Sequence, residues 1–197
     1  MNDGTQPLPR PGQIQRSSEP YWIATVGVGE YRRTIPHVVD TGDEVLEVGC
    51  HFGRTTSMLH DASTSGSDIS NGFCLGVDIG PKIIQQAKQQ YPGIPFAVGD
   101  AWKTLQLLQV KQSSMPSSSQ PSSSSSSLGY DVVYADIGGL SGSDGLLESL
   151  ALLDSLSHSL EPRCIVIKSL CMNRLASQLR AFSDIWAKIG PVTSRDE

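Results

Sequence analysis

Three aspartates and one lysine close apolar segments of the sequence, where they could bind a polar ligand or move a proton. Asp78, Asp100 and Asp136 each follow such a segment, and Lys168 ends a fourth one. Carboxylates accept hydrogen bonds from hydroxyl and amino groups, and a lysine beside an aspartate can orient or accept a proton. Each aspartate alone could equally be a helix N-cap. Their common position at segment ends instead predicts one shared site.

A glycine-punctuated turn follows another apolar segment. Residues 45–54 read Val-Leu-Glu-Val-Gly-Cys-His-Phe-Gly-Arg, which predicts a buried strand that breaks into a tight turn. Gly49 and Gly53 lack a Cβ, so the backbone can turn sharply there and approach a ligand closely. A helical segment follows, and the order strand, turn, helix is typical of cofactor-binding α/β sheets. Glu47 lies inside the strand, two residues before the first glycine.

Five apolar strands alternate with helical segments. The predicted strands span residues 44–48, 73–77, 96–98, 130–135 and 164–167. The predicted helices include residues 31–39, 55–60, 81–91, 145–160 and 174–189, with a short helix that ends at residue 110. This alternation predicts a mostly parallel sheet with helices on both faces, which is a doubly wound, Rossmann-like α/β fold. Ligands bind such sheets beyond the carboxyl ends of the strands.

The length and composition predict one domain with low-complexity segments. The chain has 197 residues, enough for one α/β core. We expect residues 21–190 to form that domain, with polar insertions at 61–71 and 113–127 that are too serine-rich to build a core. Residues 1–20 are expected to be a disordered tail, and residues 191–197 a second tail.

Charge and cysteine content restrict the possible partners and compartment. The formal net charge is −5, and a negative charge does not favour binding to nucleic acid in general. The four cysteines show no CxxC spacing and no signal peptide precedes them, so we expect reduced thiols and no metal site. No stretch has the length of a membrane span. These features predict an intracellular protein, cytoplasmic or nuclear, without a membrane partner.

The pattern from Glu47 to Gly53 resembles motif I of class I S-adenosylmethionine-dependent methyltransferases. His51 stands where the family usually has a third glycine. The resemblance implies S-adenosyl-L-methionine as cofactor, with Asp78 on its ribose hydroxyls and Asp100 near its adenine amino group. It also implies a terminal β-hairpin, which we expect to be missing because the chain stops about where it would begin. The implied cofactor-binding residues are Glu47, Gly49, Cys50, His51, Gly53, Asp78, Ile79, Gly99, Asp100, Ala101 and Asp136.

Two further segments resemble fibrillarin and, more distantly, the FtsJ-type ribose 2′-O-methyltransferases. They are residues 134–138, Tyr-Ala-Asp-Ile-Gly, and residues 165–171, Ile-Val-Ile-Lys-Ser-Leu-Cys. The resemblance implies Asp136 and Lys168 as catalytic residues, with Lys168 as base or orienter and Asp136 as its partner. It also implies RNA as the methyl acceptor. The family's RNA enzymes often carry a basic residue upstream of motif I, a position that Arg32 or Arg33 could fill.

Other acceptors stay open at this point. The sequence has no dense basic patch and no arginine- and glycine-rich tail, so a small molecule or a protein is the alternative acceptor. A non-catalytic domain is the third possibility, because His51 could crowd the cofactor. The oligomeric state is left open.

Overall fold

The computed structural model describes residues 21–65, 72–114, 129–138 and 145–179. The strands in chain order are β1 (Tyr21–Thr25), β2 (Glu44–Val48), β3 (Phe73–Asp78), β4 (Phe96–Val98), β5 (Val132–Ala135) and β6 (Cys164–Lys168). The helices are α1 (Val28–Arg33), α2 (Ile35–Val38), α3 (Arg54–Thr64), α4 (Pro81–Gln90), α5 (Thr104–Ser114), α6 (Leu146–Leu160) and α7 (Leu170–Gln178).

The six strands form one parallel sheet in the order β1-β6-β5-β2-β3-β4. From β2 the chain first builds outward through β3 and β4, then returns to the other side of β2 through β5 and β6. The direction of winding therefore changes between β2 and β5, which makes this the topological switch point. The prediction of a doubly wound, Rossmann-like α/β fold is confirmed.

Both faces of the sheet are buried, as the continuous apolar runs predict. Side chains on a strand alternate between the two faces. Leu46 therefore packs with Leu107 of α5, Leu152 of α6 and Met172 of α7. The neighbouring Val45 packs on the opposite face, in a second core cluster with Tyr31 of α1, Ile35 of α2 and Leu59 of α3.

The strand β1 is the element that the sequence analysis does not predict. It pairs in parallel with β6, from Tyr21 opposite Cys164 to Thr25 opposite Lys168. As an edge strand it leaves side chains partly exposed, with Trp22 at 43%, so its apolar pattern is weak. It takes the position beside β6, and the sheet holds no antiparallel strand within the described residues.

The first predicted insertion begins too early, because α3 continues to Thr64. The hydroxyls of Ser63 and Thr64 donate to the carbonyl oxygen of His60 at 3.2 and 2.7 Å. These bonds keep polar side chains within a helix, and Ser63 is buried. Residues 66–71 lie outside the described residues.

Two other boundaries also differ from the prediction. The helix α5 continues to Ser114, beyond residue 113 where the second insertion is predicted to begin, and residues 115–128 lie outside the described residues. The helix α7 starts at Leu170, four residues before the predicted start, because the Ser169 hydroxyl accepts the Met172 N–H at 3.4 Å as an N-cap.

The predicted tails, 1–20 and 191–197, are not among the described residues. No described helix is both long and apolar enough to cross a membrane.

Candidate functional site

A cavity of about 890 Å³ opens at the carboxyl ends of the strands on both sides of the switch point. The strand-end residues Val48, Val77, Asp136 and Lys168 all contribute to its wall. The predicted site residues that line it are Glu47, Gly49, Cys50, His51, Asp78, Ile79, Gly99, Asp100, Ala101, Asp136 and Lys168. The fold therefore brings together every predicted site residue except Gly53.

The turn after β2 depends on Gly49. Its φ is +78°, and a Cβ there would lie 2.0 Å from the carbonyl oxygen of Asp136. The Gly49 and Cys50 N–H groups both donate to the carbonyl oxygen of Val77, at 2.8 and 3.1 Å. The turn is thus held against the ends of β3 and β5, with no space for a side chain at its first residue.

Asp78 connects this turn to the end of β3. Its Oδ2 accepts the His51 N–H at 3.1 Å, and its Oδ1 accepts the Gly80 N–H at 2.9 Å. A carboxylate has about four acceptor positions, so Asp78 can still accept further hydrogen bonds. His51 has a φ of +49°, a backbone region that is costly for a residue with a side chain. Its exposed ring packs on the Phe52 ring, with centroids 3.8 Å apart.

The far side of the cavity combines a carboxylate with exposed apolar side chains. Asp100 Oδ1 accepts the Trp102 N–H at 3.1 Å, which shapes the turn after β4. Ile79 is 72% exposed and Trp102 is 47% exposed, and both line the cavity. Exposed large apolar side chains at a cavity wall favour contact with a flat apolar group.

Glu47 is a buried acid in the cavity wall. Glu47 is only 2% exposed. Its Oε2 accepts a hydrogen bond from the Thr56 hydroxyl, with 2.5 Å between the two oxygen atoms. Burial raises the pKa of Glu47 to about 8, because the charged form loses its hydration; the hydrogen bond from Thr56 lowers the pKa in part. The nearby Tyr31 hydroxyl is also buried and has no hydrogen-bond partner among the described residues.

Asp136 and Lys168 form an ion pair between neighbouring strands. Lys168 Nζ contacts Asp136 Oδ1 directly, and each side chain is 22% exposed. Asp136 directly follows β5 and Lys168 ends β6, and these two strands lie side by side. The pair therefore presents an ammonium group and a carboxylate together in the cavity wall.

Gly53 does not line the cavity. It is the N-cap of α3 with a φ of +83°, and a Cβ there would lie 2.5 Å from the Phe96 ring. Its lack of a side chain is thus required for packing behind the turn rather than for contact with a ligand.

Arg32 is the notable cavity residue outside the predicted set. It lies on α1, and its Nε donates to Thr55 Oγ1 at 3.1 Å. The adjacent Arg33 is exposed and does not line the cavity. The sequence alone leaves the choice between these arginines open, since only the docking of α1 on the sheet selects one of them.

The cysteines are all free and buried. Burial raises the pKa of Cys50 and of Cys74, which favours neutral thiols over reactive thiolates. Within the described ranges, no group of three or more His, Cys, Asp or Glu side chains could hold a metal ion.

No family model matches the chain, and no curated protein matches it. Among solved structures, the chain is similar to a TehB-like SAM-dependent methyltransferase from Corynebacterium glutamicum, with 21% identity over 66% of this chain and 55% of that chain and a TM-score of 0.39. It is also similar to an S-adenosylmethionine-dependent methyltransferase from Mesorhizobium loti, with 19% identity, 67% and 47% coverage and a TM-score of 0.41. A third is the sugar N-methyltransferase KedS8 from Streptoalloteichus sp., with 15% identity, 73% and 47% coverage and a TM-score of 0.42.

The chain spans about half the length of these solved structures. At such identities and TM-scores, the similarities carry no argument about the activity of this chain.

Proposed function

We propose that the chain is an S-adenosylmethionine-dependent methyltransferase and that the cavity binds this cofactor. One observation carries the proposal. A glycine turn after β2, a carboxylate at the end of β3 and a second carboxylate after β4 line one cavity at the switch point. This succession suits an extended ligand that has an amino acid, a ribose and a base, each opposite the end of a different strand.

The proposed roles follow from the position of each group. Asp78 accepts hydrogen bonds from the ribose hydroxyls, and Asp100 accepts one from the adenine amino group. Ile79 and Trp102 provide the apolar contact for the ring. The ligand lies along the backbone of four residues in the two turns, Cys50, His51, Gly99 and Ala101.

Calorimetry with S-adenosylmethionine and S-adenosylhomocysteine tests the cofactor. We expect wild-type protein to bind both and Asp78→Asn to weaken binding by about tenfold or more, since hydrogen bonds to charged groups are strong. Asp154→Asn is the matched control, because Asp154 is exposed on α6 and does not line the cavity. A folded wild-type protein that binds neither compound would overturn the proposal and favour the non-catalytic alternative.

We further propose that the methyl acceptor is a hydroxyl group, with the ribose 2′-oxygen of RNA as the substrate. The cofactor supplies a methyl group on a sulfonium. During transfer the oxygen–carbon bond forms, the carbon–sulfur bond breaks, and the hydroxyl proton leaves to a base or to solvent. The Lys168 ammonium group, held by Asp136, can orient the acceptor oxygen by donating a hydrogen bond to it. The ion pair in the cavity wall supports a hydroxyl acceptor, which a ribose supplies. A small molecule or a protein is the alternative acceptor.

A transfer assay with a radiolabelled methyl group distinguishes these acceptors. On bulk RNA, 2′-O-methylation leaves labelled dinucleotides that resist alkaline hydrolysis. We expect Lys168→Gln to abolish this label while binding of S-adenosylhomocysteine is kept. Lys88→Gln should behave as wild type, because Lys88 is exposed on α4 and outside the cavity lining. Label that appears only on small molecules or proteins would contradict the RNA proposal.

A further inference from the structure

The turn that follows β1 is held beside the ion pair in the cavity wall. Thr25, the last residue of β1, is paired with Lys168, the last residue of β6. The Thr25 hydroxyl donates to the Ile167 carbonyl oxygen at 3.3 Å, and the Ser169 N–H donates to the Thr25 carbonyl oxygen at 2.9 Å. The chain after Thr25 therefore leaves the sheet at the end of β6, where Lys168 meets Asp136.

Val28 places an apolar side chain on this side of the cavity. It is the first residue of α1, is 44% exposed, and lines the same cavity as Lys168 and Asp136. The turn before it is fixed, because the Glu30 carboxylate accepts the Val26 N–H at 2.7 Å. An apolar side chain beside a few polar groups is typical of a wall that binds and orients a ligand.

The order of the strands separates Val28 from the residues that we assign to the adenosine. The strands β1, β6 and β5 lie on one side of β2, and β3 and β4 lie on the other. Asp78 ends β3, Ile79 follows it, and Trp102 lies in the turn after β4. Val28 and Lys168 therefore belong to the opposite side of the cavity, where the methyl acceptor would bind.

The size of the cavity restricts which form of RNA can reach the ion pair. Its volume is about 890 Å³, which is within the range of pockets for small ligands. Lys168 and Asp136 are recessed, with each side chain 22% exposed. An RNA double helix carries its 2′-hydroxyls in a wide, shallow minor groove, so it cannot insert one into such a recess. An unpaired nucleotide can turn its ribose into the cavity.

We propose that the methyl acceptor is an unpaired nucleotide of RNA and that Val28 determines how it binds. The ribose presents its 2′-hydroxyl to Lys168, while the base packs against the Val28 side chain. Val28 is thus a specificity-determining residue and takes no part in the transfer itself. This inference rests on the proposed function, and it adds which form of RNA is methylated.

The first test compares two forms of one RNA in the methyl-transfer assay. A random-sequence RNA pool is used as single strands and after enzymatic copying into duplexes. We expect the 2′-O-methyl label on the single strands to exceed that on the duplexes by about tenfold or more, because a paired nucleotide has first to be unpaired and unstacked. Equal labelling of both forms would overturn the inference and leave the RNA acceptor standing. A protein that binds S-adenosylhomocysteine but labels neither form would overturn both, and the proposed cofactor would stand.

The second test removes the apolar contact. We expect Val28→Ala to raise the KM for the single-stranded pool by about fivefold or more, since part of the apolar area buried against the base is lost. The kcat should stay within about twofold of wild type, because this contact is the same in the ground state and the transition state. Calorimetry should show unchanged affinity for S-adenosylhomocysteine.

Val98→Ala is the matched control, because Val98 is 45% exposed at the other edge of the sheet and does not line the cavity. It should change neither the KM nor the affinity. A wild-type KM for Val28→Ala would overturn the role of Val28. A loss of S-adenosylhomocysteine affinity in Val28→Ala would also overturn it, since the side chain would then act on the cofactor or on the fold.

Discussion

At the scale of single residues, Glu47 is the least ordinary group in the molecule. A carboxyl group that is 2% exposed normally has a cation or several donors. Here Thr56 supplies one hydrogen bond, and the neighbouring Asp136 carboxylate raises the pKa of Glu47 further. The folded protein thus holds Glu47 in its protonated form over a range of pH where an exposed glutamate is ionised.

Glu47 should make the folded protein less stable as the pH rises. Its pKa is about 8 in the folded state against an ordinary value of 4.5, so between these values the folded state binds more protons than the unfolded state. The free energy of unfolding therefore falls with rising pH in this window, by at most about 1.4 kcal/mol per pH unit from this group. Urea unfolding of the ligand-free protein between pH 5 and 8 measures the slope.

Glu47→Gln should remove this contribution, because the amide does not titrate. Glu148→Gln is the control, since Glu148 is exposed on α6 and should keep the wild-type slope. Parallel pH profiles for wild type and Glu47→Gln would contradict the prediction.

At the scale of elements, the turn after β2 is where the two halves of the sheet meet. Gly49 donates to the end of β3 through Val77 and touches the backbone at the end of β5. The Asp136 N–H in turn donates to the carbonyl oxygen of Val48 at 3.0 Å. Three strand ends are therefore connected by one turn, and their relative position sets the shape of the cavity.

Gly49→Ala should destabilise the protein by about 2 kcal/mol or more. A left-handed backbone is costly for alanine, and the new Cβ would lie 2.0 Å from a backbone oxygen of Asp136. Gly27→Ala is the matched control, because Gly27 has a φ of −147° and no atom within 4 Å of its Cβ position. Urea unfolding at one pH compares them. Equal stabilities of the two variants would refute the steric explanation.

The elements that could be predicted from the sequence are those with a local signal. The buried strands β3 and β6 are apolar up to the charged residue that ends each of them, and the helix α6 has a leucine stripe. The strand-end residues Asp78 and Asp136 could be placed together because parallel strands end at one edge. In contrast, β1 and the orientation of Arg32 depend on contacts between segments far apart in the chain, which a local pattern does not contain.

At the scale of the whole molecule, one sheet supports every part of the candidate site. The cavity wall includes residues from α1 at one end of the described chain and from β6 near the other. The two large core clusters on opposite faces fix the helices against the sheet. Cofactor affinity and overall stability are therefore coupled, because a ligand that binds only the folded state also stabilises it.

The pairing of β1 with β6 has a consequence for the order of assembly during synthesis. The hydrogen bond from Asn173 Nδ2 to the Ala24 carbonyl oxygen, 3.0 Å long, spans 149 residues. Contacts of such high sequence separation carry a large loop-closure entropy and form slowly. On the ribosome, β1 stays unpaired until β6 has emerged, so this edge of the sheet forms only after most of the described chain has been translated.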